Sequence, residues 1–471
     1  MVCLQAMTGA CVARTPAAGL PNPPQADRPL DGARGRPPEP LDECALIAGP
    51  GEPVATVGLS EPIDPSNAPS PSNDSERLLF RQLFETLVRV DCMGRVAPGL
   101  AASWHLDADG RTWIVTLRED ARFSDGTSVT AADVRAGWTR DGAGDELRPQ
   151  VSRLVQSIVL TGDRALAIAL RSRRVDAPMA LAHPDLAVAK PVAGSRWPLG
   201  TRSSRIAADA AAITIARDNA PAIRVLVNSG DPRDLLDSGV DVVVTRDAAA
   251  LNYAATLPLF QSVPLAWQRT QVLLTPGRAR SAPVLSPDAR QALAADAVRG
   301  EARGALGPFW WEMVTDCALA PSSPPNQLAP IPRVVYDVSD SAARDLAERF
   351  VGLVRGSTSA ASAFLDVLLP DRPRRTFQRA AGLKGDELAR ARRLGRDAAY
   401  VVSVDSRPLD PCRDVQVLTE GARWLDPGTI VPLVDTRLQA IVRRGRIGVS
   451  TEWDGGVVIA AGGGMSGPDK R

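Results

Sequence analysis

Residues 101–138 read AASWHLDADGRTWIVTLREDARFSDGTSVTAADVRAGW, and this stretch carries most of the fold prediction. Ala102–Leu106 and Thr112–Leu117 are strand-like runs on either side of Asp107-Ala108-Asp109-Gly110. An Asp-Gly pair suits the positive backbone angles of a tight turn between two antiparallel strands. The pattern therefore predicts a β-hairpin over residues 102–117.

A helix is predicted immediately after the hairpin. Asp125-Gly126 forms a second turn signal, and Thr130-Ala131-Ala132-Asp133 follows it. The Thr130 hydroxyl can cap the first helical amides, while the Asp133 side chain reaches back and suits the positive end of the helix. We expect this helix to run to about Arg140.

The segments before the hairpin predict a strand, a loop and a second helix. Val54–Leu59 is strand-like, and residues 60–73, with four prolines, are loop-like. Leu78–Val90 places apolar side chains at helical spacing. Residues 1–51 are rich in proline and glycine and poor in large apolar residues, so they predict a disordered tether or a remnant signal or lipoprotein segment.

The start of the tether leaves two readings open. Met7-Thr8-Gly9-Ala10-Cys11 faintly resembles a bacterial lipobox, with Thr8 where leucine is usual. The residues before it lack the basic and apolar regions of a signal peptide. Either the true start lies upstream and Cys11 is lipidated, or this segment is not a signal.

The later part of the chain alternates strand-like and helical patterns. The predicted strands are Arg333–Asp337, Phe364–Leu369 and Ala398–Val404, and the helices between them start near residue 341 and at Phe377. Such alternation indicates a mostly parallel sheet with helices on its faces. The glycine-rich stretch Ala460–Arg471 predicts a disordered tail.

Composition excludes several functions. The 471 residues suggest two or three domains, and the net charge of +1 argues against a general nucleic-acid binder. No continuous apolar run has the length of a membrane span. The sequence contains two histidines and neither a P-loop nor a G-x-S-x-G motif, so we expect no enzyme, no metal site and no cofactor.

Six cysteines lie far apart, without a C-x-x-C pair, which argues against a zinc ribbon or a redox dithiol. Two readings stay open. The cysteines are single thiols, or a pair such as Cys317 and Cys412 forms a disulfide in an oxidising compartment.

An ordered set of short motifs resembles the bacterial extracellular solute-binding proteins of family 5, which serve peptide and nickel ABC importers. The resemblance covers roughly residues 52–458 and is strongest in its first third. Its motifs there are Leu83-Phe84-Glu85-Thr86-Leu87, Pro98-Gly99-Leu100-Ala101, Ser103-Trp104, Asp109-Gly110, Leu117-Arg118, Phe123-Ser124-Asp125-Gly126-Thr127 and Ala132-Asp133-Val134. Weaker matches are Ile63-Asp64-Pro65, Ser238-Gly239-Val240-Asp241 and Val334-Val335-Tyr336-Asp337.

The resemblance implies an α/β, two-lobed fold like that of the periplasmic binding proteins, with a hinge and a mixed sheet in each lobe. Lobe 1 would comprise residues 52–262 and a return segment, 402–458, and lobe 2 residues 263–401. Residues 459–471 would be the disordered tail.

The implied function is extracytoplasmic capture of a small solute, above all a short peptide, for the permease subunits of an ABC importer. The chain would act as a monomer, without nucleic acid, and would touch the membrane only through a lipid anchor. The alternative is an envelope lipoprotein that keeps the fold as a regulator or scaffold without transport.

The resemblance also suggests ligand-binding residues. Peptide binders of the family carry an amine-binding aspartate before Asp-Pro, and the same count here reaches Arg407, or Asp405 if two residues are inserted. Arg407 would favour a carboxylate or phosphate rather than an amine. Further candidates for the cleft walls are Trp267, Arg269 and Trp424. Arg202, which replaces the second glycine of the family's Gly-Thr-Gly-Pro-Tyr motif, is also a ligand-binding candidate.

Overall fold

The computed structural model of the chain gives the positions of a defined set of residues. The described residues are 44–47, 50–140, 145–152, 154–171, 177–208, 213–217, 220–275, 302–303, 333–337, 343–349, 366–371, 386, 398–405 and 429–460. The expected helix from Phe377 and the expected tail from residue 461 on lie outside them, as do Cys317 and Cys412.

The described secondary structure is mostly β-sheet with short helices. The N-terminal elements are β1 (Glu52–Pro53), β2 (Thr56–Leu59), α1 (Asp74–Arg81), β3 (Val88–Val90), β4 (Val96–Pro98), β5 (Ala101–Leu106), β6 (Thr112–Leu117) and α2 (Ala131–Trp138). They are followed by α3 (Pro149–Ser152), β7 (Val155–Gly162), β8 (Ala165–Leu170), α4 (Ala177–Ala180), β9 (Ser204–Ala208), β10 (Ile213–Arg217), β11 (Ala220–Val227), α5 (Pro232–Asp237), β12 (Val242–Thr245) and α6 (Ala248–Thr256). The C-terminal elements are β13 (Phe260–Thr275), β14 (Ala302–Arg303), β15 (Arg333–Asp337), β16 (Asp366–Asp371), β17 (Ala398–Asp405), β18 (Thr429–Arg443), β19 (Arg446–Ile447), β20 (Val449–Thr451) and β21 (Val457–Ile459). No helix in these ranges has the length and apolar composition needed to cross a membrane.

The predicted hairpin and the helix after it are confirmed. Strands β5 and β6 pair antiparallel, and Gly110 has a φ of +66° in the turn between them. They form a four-stranded sheet in the order β5-β6-β8-β7. Helix α2 begins with the expected capping box between Thr130 and Asp133, and Val134 and Trp138 are fully buried. The helix ends at Trp138 rather than at Arg140.

A second, eleven-stranded sheet joins the first and last parts of the chain. Its strand order is β16-β15-β17-β13-β18-β12-β2-β11-β10-β9, with β14 beside β18. The predicted strands at 333–337, near 364–369 and at 398–404 are β15, β16 and β17, and β15 pairs parallel with both neighbours, as expected.

Two long strands run through the middle of this sheet. β13 has 16 residues and pairs antiparallel with β18 from Phe260–Arg443 to Thr275–Thr429. At about 3.3 Å per residue such a strand spans roughly 50 Å, more than a typical small sheet needs. β12 flanks one end of the pair at residues 439–442 of β18, and β17 flanks the other end at residues 269–274 of β13. We call β13 and β18 the crossing strands, because they connect two groups of sheet neighbours.

The predicted helix over Leu78–Val90 is wrong in its limits. Helix α1 starts earlier, at Asp74, where the Asn73 side chain accepts a hydrogen bond from the Glu76 amide, and it ends at Arg81. The Gln82 side chain bonds the carbonyls of Leu78 and Val457, which ties the helix end to β21. Val88–Val90 instead pairs with β4. Apolar side chains at helical spacing continue past Gln82 because they enter the core from a loop and a strand.

The N-terminal edge of the described chain also differs from expectation. Cys44 and Cys92 form a disulfide across 48 positions, and the Leu46 amide donates to the Val449 carbonyl. The last part of the expected 1–51 tether is therefore bound to the rest of the protein from Cys44 on. Residues 1–43 lie outside the described part.

Asp241, in the expected crossover motif, holds three elements together. Its carboxylate is 1% exposed and accepts hydrogen bonds from the amides of Ala55 and Thr56, at 2.8 and 2.9 Å, and from Arg446 Nε at 2.9 Å. These contacts join the start of β2, the start of β12 and β19. They fix β2 and β12 side by side and so determine where both strands end.

Candidate functional site

The ends of two parallel strands meet the crossing strands at one place in the sheet. β2 ends at Leu59 and β12 at Thr245, and these strands are paired in parallel. Thr245 lies opposite Gln439 of β18, which in turn lies opposite Pro264 of β13. Both crossing strands continue beyond this point. In open α/β sheets ligands bind outside the carboxyl ends of the strands, at points where the strand order changes.

Four charged side chains gather just past these strand ends. Arg246 follows β12, and its Nη2 lies 2.7 Å from Oδ2 of Asp74 in the first turn of α1. Arg269 Nη2, from β13, lies 3.6 Å from Oδ1 of the same carboxylate. Glu61 follows β2 and is bound to the helix start by two reciprocal hydrogen bonds with Ser75, at 2.9 and 3.0 Å. We call Glu61, Asp74, Arg246 and Arg269 the charged cluster.

The charged cluster is buried enough to shift an ionisation equilibrium. Burial raises the pKa of Glu61, and the nearby negative charge of Asp74 raises it further. The Ser75 amide and the positive charges of Arg269 and Arg246 lower the pKa and oppose these effects without cancelling them. Glu61 is therefore protonated more readily than an ordinary glutamate, and the cluster then carries more positive than negative charge.

Arg246 has hydrogen-bonding capacity that the described residues do not use. Its side chain is 8% exposed, and Nε and Nη1 are buried without a hydrogen-bond partner in the described part of the chain. An unpaired buried donor costs about 1–3 kcal/mol, so such an arrangement is costly without an acceptor. A carboxylate is the acceptor that suits a guanidinium group best, because it can take two parallel hydrogen bonds.

The crossing strands supply the wall beside this cluster. Thr270 and Asp435 lie opposite each other, and the Thr270 hydroxyl donates to Asp435 Oδ1 at 2.6 Å, with both residues fully buried. The Arg437 guanidinium carbon lies 4.5 Å from the ring centre of Trp267. A short hydrogen bond and a cation–π contact thus connect β13 and β18 just beyond the part of β18 that pairs with β12.

The structure brings together some of the residues proposed from sequence. Arg269 lies in the charged cluster, and Trp267 lies in the adjoining wall. The backbone of Asp405 lies in register with Arg269 across β17 and β13. Arg407 and Trp424 lie outside the described residues. Arg202 is not at this site, because it lines a different pocket with Arg77, Arg81 and Arg89.

Sequence reasoning missed Glu61, Asp74 and Arg246. Each lies one or two residues beyond a strand end or at a helix start, which is where polar side chains of an α/β site are expected. That signal was present at Glu61 and Arg246. It became specific only when the pairing of β2 with β12 was known. Among the described residues, no group of three or more His, Cys, Asp or Glu side chains is placed to hold a metal ion.

Comparison with known proteins agrees with this architecture. The fold is similar to that of the ABC transporter-associated periplasmic binding protein DppA from Helicobacter pylori in complex with the peptide STSA. The TM-score is 0.56 at 12% identity, and the match covers 87% of this chain and 97% of DppA. The fold therefore defines the chain as an α/β protein of the two-lobed periplasmic binding class.

Sequence comparison narrows the class. Residues 95–214 match the profile of the bacterial extracellular solute-binding proteins, family 5 Middle. The chain is 42% identical over 79 residues to the periplasmic oligopeptide-binding protein OppA of Escherichia coli. These 79 residues are 17% of this chain, and the match covers 14% of OppA. The chain is 39% identical over 66 residues to a putative binding protein of Haemophilus influenzae, 14% of this chain and 13% of that protein. Over residues 95–214 the chain is therefore similar to family 5 of the extracellular solute-binding proteins, and its sequence matches span 14% and 13% of the length of these two relatives.

Proposed function

We propose that this protein is the extracytoplasmic solute-binding subunit of an ABC importer and that it clamps a short peptide between its two lobes. The similarity of residues 95–214 to the family supports the transport role, and the peptide bound to DppA and the name of OppA support the ligand class. The Cys44–Cys92 disulfide supports an oxidising compartment, since such bonds are rare in the cytosol. We propose that lobe 1 comprises residues 52–262 and 402–458 and that lobe 2 comprises residues 263–401.

The observation that carries the proposal is the position of the charged cluster at the crossing strands. In the described part of the chain two segments, β13 and β18, pass between the two groups of sheet neighbours, so the groups can close on a ligand about these strands. Arg269 lies on one of them, and Arg246 holds Asp74 through Nη2 at 2.7 Å. Nε and Nη1 of Arg246 have no hydrogen-bond partner in the described part of the chain, so they can bind a ligand while Nη2 stays on Asp74. The proposed contact is a salt bridge from Arg246 to the C-terminal carboxylate of the peptide.

The test compares one peptide with and without its terminal charge. We expect trialanine to bind the wild-type protein, in isothermal titration calorimetry, at least about tenfold more tightly than trialanine amide, since a charge-assisted pair contributes about 1.4 kcal/mol or more. Arg246→Gln should remove most of this difference. Arg233→Gln is the matched control, because Arg233 is an exposed arginine that pairs with Asp231.

Equal affinities for trialanine and its amide in the wild type would contradict the salt bridge. A protein that binds no peptide, and that carries no solute in native mass spectrometry after gentle isolation, would contradict capture altogether. That second result would favour the envelope lipoprotein that acts as a regulator or scaffold.

A further inference from the structure

A pocket lies at the other end of helix α1 from the charged cluster. Its lining combines apolar side chains with four arginines and one glutamate. The lining residues are Pro69, Pro71, Arg77, Phe80, Arg81, Phe84, Thr86, Arg89, Ala182, Pro184, Ala187, Arg202 and Glu452. None of them lies on a crossing strand. Asp74 is in the first turn of α1 and Arg81 in its last, so about 10 Å of helix separates the two sites. We call this pocket the arginine pocket.

Arg202 is the cation in this pocket whose charge lacks a direct partner. No described residue accepts a hydrogen bond from its side chain, and its Nε is fully buried. Burial lowers the pKa of Arg202, while the more distant negative charges of Glu85 and Glu452 raise it and partly compensate. A guanidinium group stays charged even so, and a buried charge without a partner is costly.

The nearby carboxylates are already engaged by other arginines. Glu85 accepts a hydrogen bond from Arg118 Nη2 at 3.2 Å. Glu452 is bound by Arg81, which also binds Asp454. Glu85 and Glu452 act on Arg202 through their charge at a distance rather than through a hydrogen bond, and Arg89 and Arg81 add like charge to its surroundings. The arginine pocket therefore has an excess of positive charge that an external anion would neutralise.

The size and lining of the pocket limit what the anion can be. The enclosed part of the pocket has a volume of about 30 Å³, and its mouth opens to solvent. Since a water molecule needs roughly 10–15 Å³, the enclosed part holds only two or three heavy-atom groups. A carboxylate has that size. Phe80 and Phe84, whose rings pack edge to face with centres 5.9 Å apart, also line the pocket and would contact a short apolar tail that extends from the carboxylate toward the mouth.

We propose that the arginine pocket is a binding site for a small aliphatic carboxylate, held by the Arg202 guanidinium with its alkyl tail against Phe80 and Phe84. This site is separate from the peptide site at the crossing strands. Glycine, which Arg202 replaces in the Gly-Thr-Gly-Pro-Tyr motif of the resemblance, has no side chain that could bind an anion. The carboxylate site would thus be specific to chains that carry this arginine.

Butyrate is the probe for the test, with inorganic phosphate and chloride at equal ionic strength as comparisons. We expect butyrate, and not chloride, to raise the melting temperature of the wild-type protein and to give a saturable calorimetric signal. Arg202→Gln should weaken butyrate binding at least about tenfold, the loss expected for a charge-assisted contact. The butyrate affinity of Arg202→Lys should lie between those of the wild type and Arg202→Gln, because lysine keeps the positive charge but lacks the planar guanidinium group. Arg111→Gln, at an exposed arginine in the β5–β6 hairpin, should bind like the wild type.

Circular dichroism of each variant shows whether it is folded, and trialanine binding should be unchanged in Arg202→Gln. Butyrate that binds Arg202→Gln as tightly as the wild type would overturn the proposal. So would butyrate that acts no differently from chloride, or phosphate that binds more tightly than butyrate, since the apolar tail would then contribute nothing.

Discussion

Replacing Asp241 with asparagine should destabilise the protein by about 3 kcal/mol. The substitution keeps the shape of the side chain but leaves one oxygen where there were two. The carboxylate accepts from two backbone amides through Oδ2 and from Arg446 Nε through Oδ1. An asparagine oxygen can serve the amides or the arginine, and its NH₂ group must then face the remaining donor.

The magnitude follows from what is lost at Arg446. A hydrogen bond between charged groups contributes about 1.5–3 kcal/mol, and a buried ion pair that loses one partner costs about 3–5 kcal/mol. The upper range does not apply in full, because Arg446 Nη1 keeps Glu52 at 2.7 Å. We therefore expect the free energy of unfolding to fall by about 3 kcal/mol, the value at which the two ranges meet.

The measurement is urea unfolding followed by both tryptophan fluorescence and circular dichroism, whose transitions must coincide for a free energy to be extracted. Asp237→Asn is the matched control, because Asp237 is exposed and accepts one hydrogen bond, from the Tyr253 hydroxyl at 2.6 Å. We expect the control to change stability by less than about 0.5 kcal/mol. Asp241→Asn with an effect no larger than the control would refute the role of Asp241 as the anchor of β2, β12 and β19.

Two further predictions concern helix α2 and the charged cluster. Thr130→Ala should cost about 1 kcal/mol, because Thr130 Oγ1 accepts from the Asp133 amide at 3.2 Å, and an unchanged urea midpoint would contradict the capping role. Glu61→Gln should become more favourable relative to wild type as the pH rises from about 4 to about 7. The raised pKa of Glu61 means that the folded state binds its proton more tightly than the unfolded state, so wild-type stability from this group is lost as the pH rises through that pKa. Unfolding free energies at both pH values test this, and a constant difference between the two proteins would count against it.

The predictions that succeeded rest on interactions between neighbours in sequence. The β5–β6 hairpin needs a glycine that tolerates a positive φ at position 110, and the start of α2 needs a hydroxyl three residues before an acid. Both requirements are visible in a window of a few residues. The limits of α1 could not be predicted from such a window, because the Gln82 side chain at the end of the helix donates a hydrogen bond to Val457, 375 positions away.

Function was predictable to the level of a resemblance and no further. The ordered motifs of the first third of the chain indicate a similarity to family 5 of the extracellular solute-binding proteins, and residues 95–214 match the profile of that family. Trp267 and Arg269 were proposed for the cleft because they follow the first crossing segment, and Arg269 lies in the charged cluster. Arg202 was assigned to the same cleft and lies in the arginine pocket instead.

The amino-acid sequence by itself determined the α/β class, the hairpin and the capped helix, because turn geometry, capping and strand patterning act over a few residues. Only the tertiary structure decided which charges and which cysteines meet. Asp74 pairs with Arg246 across 172 positions, Asp241 with Arg446 across 205, and Cys44 with Cys92 across 48. The chain contains many arginines and aspartates and six cysteines, and interactions between neighbours in sequence favour none of these pairings. Each partner is chosen by the packing of distant segments, which sets the distance between the groups.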